Sequence, residues 1–459
     1  MSRKSPQKAK AAITQDWQEL ISKNFNRFVA GFCLLNLLLC ILLFDPKPHT
    51  GGDNASYVIL AQSILNIGDG YSQSIGPGPV TPHTQYPFGY PLLLSPLVAL
   101  FGANFFVLKL LSIAFSLLSV FLFAQIMRQS TAPVTAASVT FAFALNPVLV
   151  DYSHWVLTEE AFLCFSLLSL YFLVRFTRDG AARFGWTFWL AVLSLVFTAH
   201  IRPNGVAFVG GGVACFLLRR QWKTLAVFIL AVAVLMAPWY IRNRVVSKGQ
   251  SQVVGAFVLK NPYSPEEGKI GPSGLVERIG RNVVIYGTAE SARVVLGSES
   301  PWLVHPASRV LAVAVSLLVV AGLIGRIVTN GPGVLETYFG FFLGIVLVWP
   351  DAWSDVRFIM PLIPLMLFYM AEAAALTARF ASSLRKHGHV VAAVVLLIVA
   401  ALSLSSQFTR VPSNLRMLSA WAGGDRYAGY PVNWRRFFEA ADRVRQNTPE
   451  NAVITVRKP

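Results

Sequence analysis

The sequence predicts an all-α polytopic membrane protein of about eleven transmembrane helices. Three observations carry that expectation. Of its 459 residues, 54% are hydrophobic and only 13% are charged, where a soluble chain carries about 25% charged residues. The mean hydropathy is +0.55. Apolar runs long enough to cross about 30 Å of hydrocarbon recur from one end of the chain to the other.

Taken in order, the basic segment MSRKSPQKAKAAITQDWQELISKNFNRF comes first. It is too long and polar for the n-region of a signal peptide, and no small-residue cleavage site follows the first apolar run. That run therefore reads as a retained helix. Spans are expected near 28–44, 104–127, 133–150, 161–176, 186–199, 205–218, 225–240, 310–327, 335–349, 358–376 and 390–406. Residues 87–102 are also apolar, but they are short and broken by prolines, which fits an interfacial or re-entrant helix. Residues 1–408 thus form a transmembrane module with two large outer loops, 45–102 and 242–307, the second with weak helical patterning at 274–295. Residues 409–459 form a short extracytoplasmic α/β segment with an amphipathic helix at 433–446 and a strand at 452–456. One strand cannot stand alone, so it needs partners from other outer segments or from a soluble domain of which this is the start.

The short loops set the orientation. Arg3, Lys4, Lys8, Lys10, Lys23 and Arg27 precede the first span, and alternate loops carry Arg128, then Arg175, Arg178 and Arg183, then Arg219, Arg220 and Lys223, then Arg326, then Arg379, Arg385 and Lys386. The opposite loops are poor in cations and hold Asp53, Asp69, Asp151, Glu159, Glu160, Asp351 and Asp355. By the positive-inside rule the N-terminus is cytoplasmic and the acidic loops and the C-terminal tail face outward. The net charge of +17 is scattered over loops without a basic fold motif, which suits an anionic membrane surface and excludes a nucleic-acid partner. Cys33, Cys40, Cys164 and Cys215 lie inside apolar spans with no metal-ligand spacing, so packing is their expected role.

The outer loops hold the polar residues that can do chemistry. Asp53 follows the first span in GGDNASYVILAQSI, where Tyr57, Leu60, Ala61, Ile64 and Leu65 fall at helical spacing. As an Asp after two glycines it suits a helix N-cap, and on the residues alone capping and acid–base chemistry both stand. Glu159 and Glu160, in DYSHWVLTEEAF, sit at or inside the start of a span, where ionisable groups are costly and point to function. Arg202 in AHIRPNG, Arg242 in PWYIRN, and Asp351, Asp355 and Arg357 in WPDAWSDVRFIMP complete an outward set of alternating carboxylates and arginines. Lys109, about one turn into the second span, can reach the outer interface or simply snorkel to it. His83 and His200 have no partners at metal-ligand spacing. Carboxylates beside arginines next to an apolar groove suit transfer from a lipid phosphate: guanidinium forks pair with the phosphate, and a carboxylate takes the acceptor's proton.

At this point the motifs carry a resemblance. GGDNASYVILAQSI followed by QYPFGYPLLLSPLVALFG resembles the first outer loop of the GT-C superfamily, integral membrane glycosyltransferases that use polyprenyl-phosphate sugars. The nearest part of that superfamily is the bacterial branch related to protein O-mannosyltransferases and the lipid A aminoarabinose transferase. HWVLTEEAFLCFSLLSLYFL, HIRPNG, APWYIRNR and DVRFIMPLIPLM resemble its later landmarks, and PENAVITVRKP resembles the start of its soluble C-terminal domain. The resemblance implies a catalytic Asp53 and puts Glu159 at the acidic position of the second outer loop, orienting the acceptor or a metal. It implies Arg202, Arg242 and Arg357 as candidates for the donor phosphate. Tyr57, Tyr86 and Glu160, in the same outer loops, are further expected substrate-binding positions. The branch has a phosphate-contacting Lys before a proline pair; here Gln85-Tyr86-Pro87 stands there, and His83 or Lys109 is left to substitute.

The expected function is therefore transfer of a hexosyl or pentosyl group, with inversion, from a polyprenyl-phosphate sugar to an extracytoplasmic hydroxyl on a protein, lipid or cell-envelope glycan. The expected site is on the outer face of the bacterial inner membrane. No cofactor is firmly implied, although a divalent cation, Mg or Mn, is compatible with the acidic residues. The rival reading is a transporter or flippase of lipid-linked sugars, with the outer charges as a gate. Against it stand the lack of an internal repeat and of a charged relay within the spans.

Overall fold

The computed structural model describes residues 6–50, 53–66, 70–73, 81–178, 184–247, 255, 257–380 and 387–449. Among the described residues every regular element is helical, and the only β contacts are two isolated bridges, Ser72–Pro82 and Leu259–Lys269. The expected strand at 452–456 lies outside the described residues, as does Asp69.

The helices run α1 (Pro6–Leu42), α2 (Asn54–Leu65), α3 (Gly89–Phe101), α4 (Phe105–Ser130), α5 (Pro133–Ala144), α6 (Pro147–Tyr152), α7 (Thr158–Arg178), α8 (Trp186–Ile201), α9 (Val206–Leu218) and α10 (Trp222–Val246). They continue with α11 (Pro272–Ile285), α12 (Ser291–Leu296), α13 (Ala307–Asn330), α14 (Val334–Val348), α15 (Val356–Ile359), α16 (Ile363–Phe380), α17 (Gly388–Phe408), α18 (Val411–Ala422) and α19 (Val432–Asn447). Each of the segments expected to span is helical. Among the described residues seven helices are long and apolar enough to cross a membrane, and shorter apolar helices fill the remaining expected positions. Their outward faces are apolar: Val310, Val313, Leu317, Val320 and Ile324 on α13, and Leu230 and Val234 on α10, are exposed at helical spacing. Water would not tolerate such stripes, whereas lipid does. The chain is a multi-pass membrane protein.

The differences from the sequence reading have local causes. The segment expected as one span at 133–150 is two helices. Pro147 cannot continue α5, so the chain restarts with Asn146 capping α6 through Val148 and Leu149 N–H. The carbonyls freed by the break are taken by side chains from elsewhere: Ala144 O accepts from Asn36 Nδ2 at 2.8 Å and Leu145 O from Gln407 Nε2 at 2.8 Å. Irregular backbone among membrane helices survives only when it is satisfied in this way. The pattern at 274–295 resolves into α11, a π-helical turn at Tyr286–Glu290 and α12. Helix α18 has no counterpart in the sequence reading, while α19 matches the expected amphipathic helix.

In the interior α7 packs between α4 and α8, α13 and α17 flank α16, and α2 lies against α3. Gly89 lets α3 start directly on the end of α8, because a Cβ there would meet His200 O at 2.6 Å. That close approach brings the 45–102 segment onto the end of α8.

Candidate active site

Asp53 is the N-cap residue of α2, but its side chain makes no cap hydrogen bond to the helix. It is instead bonded by the phenol of Tyr86, whose proton is held well above its ordinary range, first by burial and then by the Asp53 charge. The tyrosine donates, and the carboxylate is turned away from its own helix toward the α3 side. Tyr57, one turn into α2, packs on Tyr86 at 5.1 Å and edge-on to Tyr90 at 5.1 Å between ring centroids. Burial pushes its phenol up as well, and Glu159, Arg202 and Asp53 all act on it electrostatically. Three tyrosines thus form the wall that aims Asp53.

Opposite that wall lies the start of α7. Glu159 is 4% exposed and ion-paired with Arg202, Nη1 to Oε1 at 2.8 Å. Arg202 lies in the break between α8 and α9, with its guanidinium 5.9 Å from the Phe162 ring and 5.5 Å from the Phe358 ring. Arg357, at the start of α15, rests on Phe358 at 4.8 Å and lies within electrostatic reach of Glu159, Asp355 and Asp53. Asp355 caps α15 by accepting the Arg357 N–H at 2.9 Å. Four segments distant in sequence therefore bring Asp53, Glu159, Arg202 and Arg357 to one place.

Arg242, at the end of α10, belongs to an adjoining group. Its guanidinium donates to His83 O at 2.6 Å, Gly70 O at 2.9 Å and Tyr71 O at 3.4 Å, and it lies on the Trp239 and Tyr71 rings. His83 accepts the Tyr86 N–H on Nε2 at 2.8 Å and stacks on that ring. Burial, reinforced by Arg242, lowers His83 to about 4, so its ring is neutral and acts as an acceptor. Arg242 and His200 are the polar residues lining a cavity of about 440 Å³ between α8 and α10, whose other walls are Phe88, Leu193, Val196, Phe197, Leu235, Pro238 and Trp239. An apolar groove with a guanidinium at its mouth fits an amphiphile with an anionic head.

Two sequence candidates lie apart from these groups. Lys109 is 1% exposed and donates to Asp45 O at 2.6 Å and Lys47 O at 2.5 Å, just after α1. Glu160 is 1% exposed, and among the described residues neither of its carboxyl oxygens has a hydrogen-bond partner. Among the described residues no three His, Cys, Asp or Glu side chains come together as a metal site. Asp53 and Glu159 are faced by guanidiniums instead, a donor set that does not fit a divalent ion. Tyr90, Tyr71 and Trp239 were not singled out in the sequence. Nothing in a lone aromatic distinguishes a site wall from core until its neighbours are known.

Comparison with known proteins agrees with this architecture. The model of the dolichyl-phosphate-mannose-protein mannosyltransferase family matches residues 85–252. No curated protein matches the chain. Among solved structures, ArnT from Cupriavidus metallidurans bound to undecaprenyl phosphate superposes with a TM-score of 0.54 at 15% identity, over 92% of this chain and 81% of that one. The apo state of the same protein gives 0.51 at 14% identity, over 84% and 77%. The archaeal oligosaccharyltransferase AglB from Archaeoglobus fulgidus, in complex with an inhibitory peptide and a dolichol-phosphate, gives 0.55 at 13% identity, over 95% of this chain and 61% of that one. At such identities the likeness is one of fold, and the fold is the GT-C fold that the motifs resemble.

Proposed function

We propose that this protein is a glycosyltransferase that moves a sugar from a polyprenyl-phosphate-linked donor to a hydroxyl on the extracytoplasmic side of the membrane. The observation that carries the reading is the meeting of Asp53 with Glu159, Arg202 and Arg357, beside an apolar groove with Arg242 at its mouth. The polyprenyl chain would lie in the groove and its phosphate would pair with the arginines. The mannosyltransferase family match and the polyprenyl-phosphate and dolichol-phosphate ligands of the structural neighbours support this class of donor.

The proposed reaction is a single displacement. The acceptor oxygen attacks the anomeric carbon from the face opposite the phosphate, and the C–O bond to phosphate breaks. The polyprenyl phosphate departs with the electron pair, and the acceptor's proton passes to Asp53, so configuration inverts. Tyr86 orients Asp53 by donating to it. Arg357 and Arg202 stabilise charge gathering on the leaving phosphate, with Glu159 holding Arg202 in place.

The test is turnover of a panel of hexosyl and pentosyl polyprenyl phosphates by purified protein in lipid nanodiscs, with mass analysis of envelope glycans with and without the protein to identify the acceptor. Asp53→Asn should cut transfer by about 10²–10⁴-fold, the share a positioned base supplies, while leaving the protein folded and inserted. Wild-type turnover by that variant would remove Asp53 from the mechanism. Binding of lipid-linked sugar without consumption by the wild-type protein would show a non-catalytic relative instead.

A further inference from the structure

Residues 43–50, after the end of α1, form no helix, so their carbonyls need donors from elsewhere. Several of those donors come from two remote parts of the chain. Lys109 on α4 serves Asp45 O and Lys47 O. Others come from the C-terminal segment: Asn414 Nδ2 donates to Leu42 O at 3.0 Å and Phe44 O at 3.1 Å, and the Tyr430 hydroxyl donates to Pro48 O. Lys47 is paired with Asp45 and lies over the Tyr430 ring at 5.8 Å. His49 stacks on Trp155, and its carbonyl accepts from Asn54 Nδ2 at 2.5 Å, one residue past Asp53.

The C-terminal segment also touches the body of the protein by apolar contact: Val411 and Leu418 lie against the core, and Trp421 stacks on Phe106 at 6.1 Å. Helices α18 and α19 bury no residue of their own, while Tyr430, at the contact, is 7% exposed. Arg410 pins the start of the segment by pairing with Asp151 at 2.6 Å and Glu299 at 2.9 Å. Apolar packing and the Arg410 pairs hold the segment in place, and its polar bonds to Leu42, Phe44 and Pro48 carbonyls are the contacts that reach the strap leading into Asp53.

From this we infer that Asn414 and Tyr430 are positioning residues: the C-terminal segment clamps the 44–49 strap and thereby sets where Asp53 stands. The effect on catalysis rests on the function proposed above, but the clamp itself does not. Removal of the clamp leaves the donor groove and its arginines untouched, so the defect falls on the chemical step and spares donor binding.

The experiment compares the full chain with Asn414→Asp, which is isosteric but lacks the donor hydrogens, with Tyr430→Phe, and with both together, in lipid nanodiscs. Amide hydrogen exchange over residues 54–65 is read against α7 and α16 as internal references. The double variant should exchange about tenfold faster in 54–65, with the references unchanged. In a donor turnover assay kcat should fall about tenfold with KM for the donor unchanged, and Asn414→Gln should restore part of it. Unchanged exchange in 54–65, or faster exchange throughout the protein, overturns the clamp. Faster local exchange in a protein whose wild type consumes no lipid-linked sugar keeps the clamp and refutes the glycosyltransferase reading.

Discussion

The 45–102 segment is held at two places by a long cation that donates to backbone carbonyls, and the two places differ in what surrounds that cation. On the way in, Lys109 is fully buried and donates to Asp45 O and Lys47 O. On the way out, Arg242 is half-buried, donates to Gly70, Tyr71 and His83 carbonyls, and lies against aromatic faces at the mouth of an apolar groove. Both residues are basic positions near the end of an apolar helix, and the sequence alone makes both candidates for a phosphate. The difference between them is access. A compact ammonium sealed among carbonyls is a structural plug, whereas a planar guanidinium with an open face can exchange a carbonyl for a phosphate oxygen without leaving its place.

Replacing each cation separates the two roles. Lys109→Met removes the lysine donor from two half-buried carbonyls, each loss costing up to about 1–3 kcal/mol. It should lower the thermal midpoint and the yield of folded protein whatever lipid is supplied, and an unchanged midpoint in a detergent melting experiment would remove the plug. Arg242→Ala should melt close to the wild type and bind polyprenyl phosphate about tenfold more weakly, the loss expected for one charge-assisted contact. Arg242→Lys should fall between the two, keeping charge without the fork. Equal binding by all three proteins would place the lipid head elsewhere. The smallest expected effect concerns His83, which sits under Arg242. Its native value of about 4 lies below an ordinary unfolded value of about 6.5, so its contribution to stability is complete above pH 6.5 and is lost as pH falls toward 4. His83→Gln should flatten the fall in melting temperature across that window, and a slope equal to the wild type's would show that His83 is not held neutral.

Much of the fold was legible because membrane helices announce themselves in one dimension. Apolar runs, proline breaks and the amphipathic stretch that becomes α19 are each properties of contiguous residues. The site was legible in part. Asp53, Glu159, Arg202 and Arg357 stood out as ionisable residues at the ends of apolar runs, and the structure brings them together. Glu160 looked equivalent to Glu159 in the sequence, yet one step of about 100° around α7 leaves it out of the ion pair with Arg202. The donors that hold the strap, Asn414 and Tyr430, carried no signal at all, because a carbonyl 370 residues away leaves no mark on the local pattern.

What the sequence determined by itself is the class of molecule and the inventory of groups it can use: a helical membrane protein with carboxylates and guanidiniums at the ends of its apolar runs. Hydrophobicity and helical period act over neighbouring residues, and neighbouring residues are what a sequence records. The tertiary structure decided which cations are plugs and which face a groove, that Asp53 is turned from its helix by Tyr86, and that the C-terminal segment reaches back to the strap before it. Those outcomes depend on which carbonyls lose their helical partners when the chain breaks, and on which distant donors pack close enough to replace them.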